Sequence, residues 1–91
     1  MQKHFNIKVF GKVQGVFFRQ ITRERARTLG IKGFVRNELD GSVYIEAEGE
    51  EESLNKFTEW CKVGPPMSKV DKTEITESLL QNFSSFEIGY R

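Results

Sequence analysis

The chain has 91 residues, a formal net charge of +1 and a single cysteine, Cys61. This length allows one small domain, a lone cysteine excludes an internal disulfide, and nearly balanced charge disfavours a dedicated nucleic-acid binder, which usually has a clear basic excess. Because 37% of the residues are hydrophobic and eight are phenylalanine, the chain has enough apolar bulk to fold, and disorder is excluded.

The chain begins with a strand and a helix. Residues 4–12 alternate apolar and polar side chains, which is typical of a half-buried strand. From Phe18 the apolar residues recur at helical spacing, and Gly30 is a natural stop for this helix. Gly11 and Gly15 break the period between the two elements, which indicates a loop that leads into the helix.

A β-hairpin and a second helix follow. Residues 31–39 and 43–48 alternate on either side of Asp40-Gly41, which is a tight-turn signal. The acidic run at 50–52 leads into an amphipathic helix that ends near Gly64. Acidic residues in a first turn complement the helix dipole, so we interpret this run as structural.

Two further strands complete the pattern. Pro65-Pro66 ends the second helix, residues 70–76 are predicted to form a strand, and the alternation of Phe86, Ile88 and Tyr90 predicts a final short one. The main order is strand, helix, strand, strand, helix, strand. It is typical of an α+β, ferredoxin-like βαββαβ sandwich, in which two helices cover one face of a mainly antiparallel sheet.

The loop before the first helix is the most informative segment. It comprises Lys12, Val13, Gln14, Gly15, Val16, Phe17 and Phe18. A glycine-containing loop that leads into a helix N-terminus presents several N–H groups in one direction and can bind an anion. Arg19 follows in the first turn, where a cation opposes the helix dipole but can grip two oxygens of a bound phosphate. Taken alone, Arg19 is somewhat better explained as an exposed arginine without a role.

Asn37 is the second unusual residue. Asparagine is a poor strand former, yet Asn37 shares the core-side face with Val35 and Gly33 and approaches the rim of the sheet, where it can face the first loop. Its amide both donates and accepts hydrogen bonds, which suits a group that orients water. An asparagine near a hairpin turn is also common, so this residue alone leaves its role open.

These residues coincide with the signatures of a known family. The pattern Val9-x-Gly11-x-Val13-Gln14-Gly15-Val16-x-Phe18-Arg19 resembles the first signature of the acylphosphatases. The pattern Gly33-Phe34-Val35-Arg36-Asn37, followed by Gly41-x-Val43 and then Gly49, resembles the second. Two long patterns in the right order make the resemblance specific, and it extends over essentially all 91 residues.

The resemblance implies an enzyme that hydrolyses the carboxyl–phosphate anhydride of acyl phosphates to a carboxylate and inorganic phosphate. It implies that Arg19 and the backbone amides of Lys12 to Phe18 bind the phosphate, and that Asn37 orients the attacking water. Inorganic phosphate is then an expected competitive inhibitor. Some family members have threonine after the asparagine, whereas this chain has Glu38, which leaves its effect on affinity and rate open.

No other residues suggest a stronger catalytic device. The carboxylate leaving group of an acyl phosphate needs little protonation, so positioning and electrostatic stabilisation suffice. We interpret His4 as a surface residue, Cys61 as part of the core, and Arg23 and Arg27 as a solvated helix face. No grouping of His, Cys and carboxylates has metal-ligand spacing, so we expect neither a metal nor another cofactor.

Two non-enzymatic functions stay open. RNA-recognition domains have the same strand order, and Phe10, Phe34 and Tyr44 share the sheet face opposite the helices, where aromatic rings can stack on bases. Because Glu46 and Glu48 on that face repel a phosphate backbone, we expect no nucleic-acid partner. A regulatory domain that binds an anion without turnover would use the same loop as the enzyme.

The hydrophobic runs predict a cytoplasmic protein. None approaches the roughly 20 apolar residues of a membrane-spanning helix, and the start MQKHFNIK lacks the apolar centre of a signal peptide. We therefore expect a cytoplasmic monomer, with one domain over residues 1–91, a small acyl phosphate as its partner and no contact with a membrane.

Overall fold

The computed structural model describes residues 1–89, so the predicted place of Tyr90 in the last strand lies outside the described residues. The elements in chain order are β1 (Gln2–Lys12), α1 (Phe18–Thr28), β2 (Lys32–Asn37), β3 (Val43–Glu50), α2 (Glu51–Cys61), β4 (Lys69–Ser78) and β5 (Phe86–Ile88). The predicted order of strands and helices is confirmed, and the boundaries shift by only a few residues.

The five strands form one mixed sheet in the order β4-β1-β3-β2-β5. Neighbouring strands are antiparallel, except that β2 and β5 run parallel. β1 belongs to the first strand–helix–strand unit and β3 to the second. The pairing of these two interior strands therefore joins the two units in one sheet. The predicted ferredoxin-like architecture is confirmed, with a short fifth strand added at one edge.

The core lies between the sheet and the two helices. α1 packs against β2 and β5, whereas α2 packs against β1 and β3. The strand register places Ile7, Ile45 and Val35 side by side on three adjoining strands, and all three are fully buried. Cys61 on α2 is also fully buried, as predicted, and this burial raises the pKa of its thiol. Within residues 1–89, no helix is both long and apolar enough to span a membrane.

The opposite face of the sheet holds a polar cluster, and the interpretation of His4 as a surface residue is wrong. The His4 side chain is fully buried. Its Nδ1 lies 2.8 Å from Oε2 of Glu48, and its Nε2 lies 2.9 Å from Oε1 of Glu46. Phe83 stacks on the imidazole with 5.8 Å between ring centroids. We call His4, Glu46, Glu48 and Phe83 the His4 cluster.

Glu48 fastens the segment before β5 to the sheet. Its carboxylate accepts hydrogen bonds from the backbone N–H of Phe83 at 2.9 Å, of Asn82 at 3.2 Å and of Gln81. Burial alone would raise the pKa of Glu48, but these N–H donors and His4 together hold it below its ordinary value. The His4 cluster therefore joins β1 and β3 to the chain between β4 and β5.

Candidate active site

The structure brings Arg19 and Asn37 together at one cavity. Arg19 is the second residue of α1, and Asn37 is the last residue of β2. Between them lies a cavity of about 200 Å³. The described residues that line it are Val13, Gly15, Phe17, Phe18, Arg19, Gln20 and Asn37. The two side chains that the sequence singled out therefore share a space large enough for a small anion.

The loop between β1 and α1 has backbone features of an anion-binding nest. Gly15 and Phe17 both have left-handed φ angles, 74° and 62°. Left-handed residues within a turn direct neighbouring N–H groups toward a common side, where an anion can bind. Phe17 is also the N-cap of α1 and makes no side-chain hydrogen bond to the helix, so the first N–H groups of α1 have no side-chain cap.

Three residues of the predicted phosphate loop are not among those that line the cavity. Lys12 pairs with Lys69 at the end of β1, and Val16 is buried in the core. Gln14 points its side chain toward the β2–β3 turn. The lining includes Gln20 instead, which the sequence analysis did not single out. Its place directly after Arg19 in the first helical turn was the available signal.

Gln14 ties the loop to the hairpin that carries Asn37. Its Nε2 donates to the carbonyl oxygen of Glu38 at 2.8 Å and to that of Ser42 at 2.9 Å. These carbonyls lie at the base of the β2–β3 turn, where the Glu38 N–H also donates to the Ser42 carbonyl at 2.8 Å. Because Glu38 directly follows Asn37, the two bonds from Gln14 set the spacing between loop and hairpin. No pattern in the sequence indicates this role of the side chain.

Asn37 carries an unsatisfied acceptor. Its backbone is held in the sheet by pairing with Val43, but its Oδ1 is buried without a hydrogen-bond partner. Leaving a buried acceptor unpaired costs about 1–3 kcal/mol, and such groups in folded proteins call for an explanation. Rotation of the carboxamide exchanges its oxygen and nitrogen, so Asn37 can present either an acceptor or a donor to the cavity.

Glu38 is turned toward a cation and is not among the described residues that line the cavity. Its Oε2 accepts a hydrogen bond from Nε of Arg36 at 3.0 Å. An ion pair at this distance offsets part of the negative charge beside Asn37. Although this chain has Glu38 where some family members have threonine, the described residues of the cavity lining include no carboxylate.

Of the seven described residues that line the cavity, Arg19 is the only ionisable one. Arg23 and Arg27 are not among them, and Arg27 instead donates to the carbonyl of Phe86 at 3.1 Å. Within residues 1–89, no group of three or more His, Cys, Asp or Glu residues is arranged to hold a metal ion. The lining thus provides positive charge, backbone donors and two carboxamides.

The aromatic residues on the opposite sheet face do not form an open stacking surface. Phe83 packs edge-on against Phe34 with 5.8 Å between centroids. The guanidinium of Arg36 lies 5.0 Å from the ring centroid of Tyr44 and 5.5 Å from that of Phe34. Because these rings already have partners within the protein, the structure disfavours the RNA-binding alternative.

Comparison with known proteins decides the family. The acylphosphatase family model matches residues 5–88. The chain belongs to the acylphosphatase family. An acylphosphatase from Archaeoglobus fulgidus is 51% identical over 84 residues, which cover 92% of this chain and 94% of the relative.

Two solved acylphosphatase structures match nearly the whole chain. The one from Bacillus subtilis superposes with a TM-score of 0.94 at 42% identity, covering 99% of this chain and 100% of that one. The one from Coxiella burnetii has a TM-score of 0.94 at 36% identity, covering 97% of this chain and 93% of that one. The predicted acylphosphatase family, its fold and its hydrolase class are confirmed.

Proposed function

We propose that this member of the acylphosphatase family hydrolyses acyl phosphates, with Arg19 and backbone amides of the β1–α1 loop binding the phosphate and Asn37 orienting the attacking water. One observation carries the proposal. Asn37 has a buried Oδ1 without a protein partner, and its side chain lines the same cavity as Arg19. Rotation of the carboxamide brings Oδ1 to the place of Nδ2, where a bound water can donate to it next to the phosphate site.

The phosphate end of the substrate binds at the start of α1. The left-handed turn at Gly15 and Phe17 supplies N–H donors, and the helix end adds about half a positive charge. Arg19 contributes a planar guanidinium that can donate two parallel hydrogen bonds to phosphoryl oxygens. Together these groups stabilise the negative charge on the equatorial oxygens as the phosphoryl group is transferred.

Asn37 acts on the nucleophile rather than on the phosphate. A water that donates one proton to Oδ1 has its oxygen lone pair fixed in direction. Alignment of that lone pair with the phosphorus, opposite the leaving oxygen, is the geometric requirement for in-line displacement. The carboxamide does not take a proton from the water, which passes to an oxygen of the phosphate product as the carboxylate leaves, so the contribution of Asn37 is position.

The leaving group explains why the lining needs no general acid. Cleavage of the P–O bond releases a carboxylate, which is a stable anion near neutral pH and needs no proton from the protein. Among the described residues of the lining, none is a histidine and none carries a carboxylic acid. This composition suits an acyl phosphate better than a phosphate ester, because alkoxide and phenolate leaving groups are more basic than a carboxylate and gain more from protonation.

The proposal also covers inhibition by phosphate, the oligomeric state and the location of the protein. Inorganic phosphate fits the same donors as the substrate phosphate and acts as a competitive inhibitor. We propose that residues 1–91 form one domain that acts as a monomer on a small-molecule substrate. A cytoplasmic location accords with the free thiol of Cys61.

The test compares hydrolysis of benzoyl phosphate with that of para-nitrophenyl phosphate, both with EDTA present. We expect the wild type to hydrolyse the acyl compound strongly in preference to the ester. Asn37→Ala should lower kcat by about a hundredfold to a thousandfold, which is typical for the loss of one preorganised group, while the inhibition constant for inorganic phosphate stays nearly the same.

Asn55→Ala is the matched control. Asn55 is exposed on α2, on an element that does not line the cavity, and its replacement should leave kcat unchanged. Wild-type turnover in Asn37→Ala would reject the role in positioning water. Binding of phosphate by a wild type that hydrolyses no acyl phosphate would instead favour the anion-binding regulatory domain.

A further inference from the structure

Phe17 is an exposed aromatic residue of the cavity lining, and we call the exposed part of this lining the mouth of the cavity. The residue is 66% exposed and lines the cavity together with Arg19 and Asn37. Its sequence neighbours Val16 and Phe18 are buried in the core. The Phe17 ring therefore lies beside the site without contributing much to the packing of the core.

The backbone of Phe17 has a conformation that phenylalanine rarely adopts. Its φ of 62° and ψ of 21° lie in the left-handed region, where Cβ crowds the neighbouring carbonyl oxygen. Glycine at this position would be free of that strain. The chain thus keeps a bulky ring at a cost to stability that burial does not offset, and a role at the cavity accounts for it.

Phe17 is the most exposed apolar residue of the described cavity lining. The other apolar side chains of the described lining, Val13 and Phe18, are only 1% and 2% exposed. Arg19, Gln20 and Asn37 are polar. A ligand that enters the cavity with an apolar part can therefore cover that part mainly by contact with Phe17.

We propose that the Phe17 ring binds the acyl group of the substrate and makes the site selective for acyl phosphates with aromatic or other large apolar acyl groups. This inference rests on the proposed function. A single oxygen joins phosphorus to the carbonyl carbon, so a phosphate held at Arg19 leaves the acyl group close to the cavity mouth. Phe17 lies two residues before Arg19 and forms part of that mouth.

The size of the effect follows from the apolar contact. A benzoyl ring can pack one face against Phe17, whereas the methyl group of acetyl phosphate covers only a small part of that ring. The difference in buried apolar surface, with the added preference of aromatic rings for each other, corresponds to about tenfold in transition-state binding.

The test measures kcat/KM for benzoyl phosphate and for acetyl phosphate in the full chain. In Phe17→Ala we expect the benzoyl-to-acetyl ratio to fall about tenfold, which corresponds to about 1.4 kcal/mol. Phe17→Tyr should restore the ratio, because it keeps the ring. The ratio cancels any change at the phosphate end, which both substrates share.

Leu39→Ala is the matched control. Leu39 is 88% exposed on the neighbouring β2–β3 turn and is not among the described residues that line the cavity. This variant removes an exposed apolar side chain near the site and should keep the wild-type ratio.

Two results would overturn the inference while leaving the proposed function intact: an unchanged ratio in Phe17→Ala, or a Phe17→Tyr that behaves like Phe17→Ala. An unchanged ratio that comes from an equal loss on both substrates, with weaker inhibition by inorganic phosphate, would mean that the ring supports the phosphate loop. A wild type that hydrolyses neither substrate would reject the proposed function and this inference with it.

Discussion

The His4 cluster and the cavity beside Arg19 both place polar side chains in or against the sheet, but they differ in how their hydrogen-bonding groups are used. In the cluster, each ring nitrogen of His4 faces a carboxylate, and Glu48 accepts three backbone N–H groups. At the cavity, Oδ1 of Asn37 is buried without any partner. The polar groups of the His4 cluster thus have hydrogen-bond partners within the protein, whereas the Asn37 acceptor has none.

The difference separates a contribution to folding from a contribution to function. A buried polar group that is fully paired stabilises one arrangement of the chain, and removing a partner leaves the other group desolvated and unpaired. A buried acceptor that is left unpaired lowers stability, but it gains a partner when a ligand or water binds. The residue types alone do not distinguish the two regions, since both contain residues of types that act in catalysis or ligand binding in other proteins.

The largest expected effect is the loss of activity in Arg19→Gln. We expect kcat/KM for benzoyl phosphate to fall about a thousandfold, because the variant loses both the charge and the forked donor at the phosphate site. The free energy of unfolding should change by no more than about 1 kcal/mol. Steady-state kinetics and urea unfolding measure the two quantities on one preparation.

Arg23→Gln, in the same helix but not in the described cavity lining, is the control for a general loss of positive charge. It should keep most of the activity. If Arg19→Gln lost stability rather than activity, the contrast between the two regions would be wrong.

The opposite pattern is expected for Glu48→Gln. The Glu48 carboxylate accepts three backbone N–H groups, and an amide NH2 in place of one of its oxygens leaves a buried donor unpaired at a cost of about 1–3 kcal/mol, so the urea midpoint at pH 7 should fall while kcat of the folded enzyme stays near wild type. Glu52→Gln on the exposed start of α2 is the control, with an expected change within about 0.5 kcal/mol. A Glu48→Gln protein of wild-type stability would show that the His4 cluster does not stabilise the fold.

Gln14→Met tests the connection between the loop and the hairpin. The variant keeps the length of the side chain but loses both hydrogen bonds to the turn. We expect kcat to fall about tenfold, because a small displacement of Asn37 relative to the phosphate misaligns the water, while the inhibition constant for inorganic phosphate changes little.

A change in kcat without a change in the inhibition constant for inorganic phosphate distinguishes misplacement of Asn37 from a general disordering of the site. Gln2→Met at the far end of β1 also removes a side-chain hydrogen bond and should leave both constants unchanged. Equal losses of kcat and phosphate binding in Gln14→Met would indicate that Gln14 shapes the phosphate site itself.

The smallest expected effect is on the pH dependence of the free energy of unfolding. The pKa of Glu48 is lower in the folded protein than its ordinary value of 4.5, so the unfolded state takes up this proton first as the pH falls. The Glu48 contribution is therefore complete above about pH 4.5 and is lost progressively below it. Urea unfolding between pH 3 and pH 7 should show a shallower acid loss in Glu48→Gln than in the wild type; identical slopes would contradict this.

Local patterns in the sequence predicted the strands, both helices and the meeting of Arg19 with Asn37. The hydrophobic period indicates which residues face the core. The first signature ends at Arg19 and the second contains Asn37, and the topology brings these two residues to one cavity. These features depend on neighbours in the chain or on motifs, so they can be predicted without coordinates.

The burial of His4 and the role of Gln14 depend on contacts that no local pattern encodes. The period of β1 assigns His4 to the face opposite the helices, but it does not reveal that Phe83 and its neighbours cover that face. The bonds from Gln14 reach 24 and 28 residues along the chain. Such contacts follow from strand register and loop path, which the sequence pattern leaves undetermined.

The burial of Cys61 makes the protein convenient for chemical labelling. The thiolate is the form that reacts with maleimides and iodoacetamides, and full burial together with a raised pKa keeps this thiol protonated and inaccessible. A cysteine introduced by Leu39→Cys on the exposed β2–β3 turn would therefore react alone, with Cys61 left in place. A fluorophore attached there would report on occupancy of the adjacent cavity in otherwise native protein.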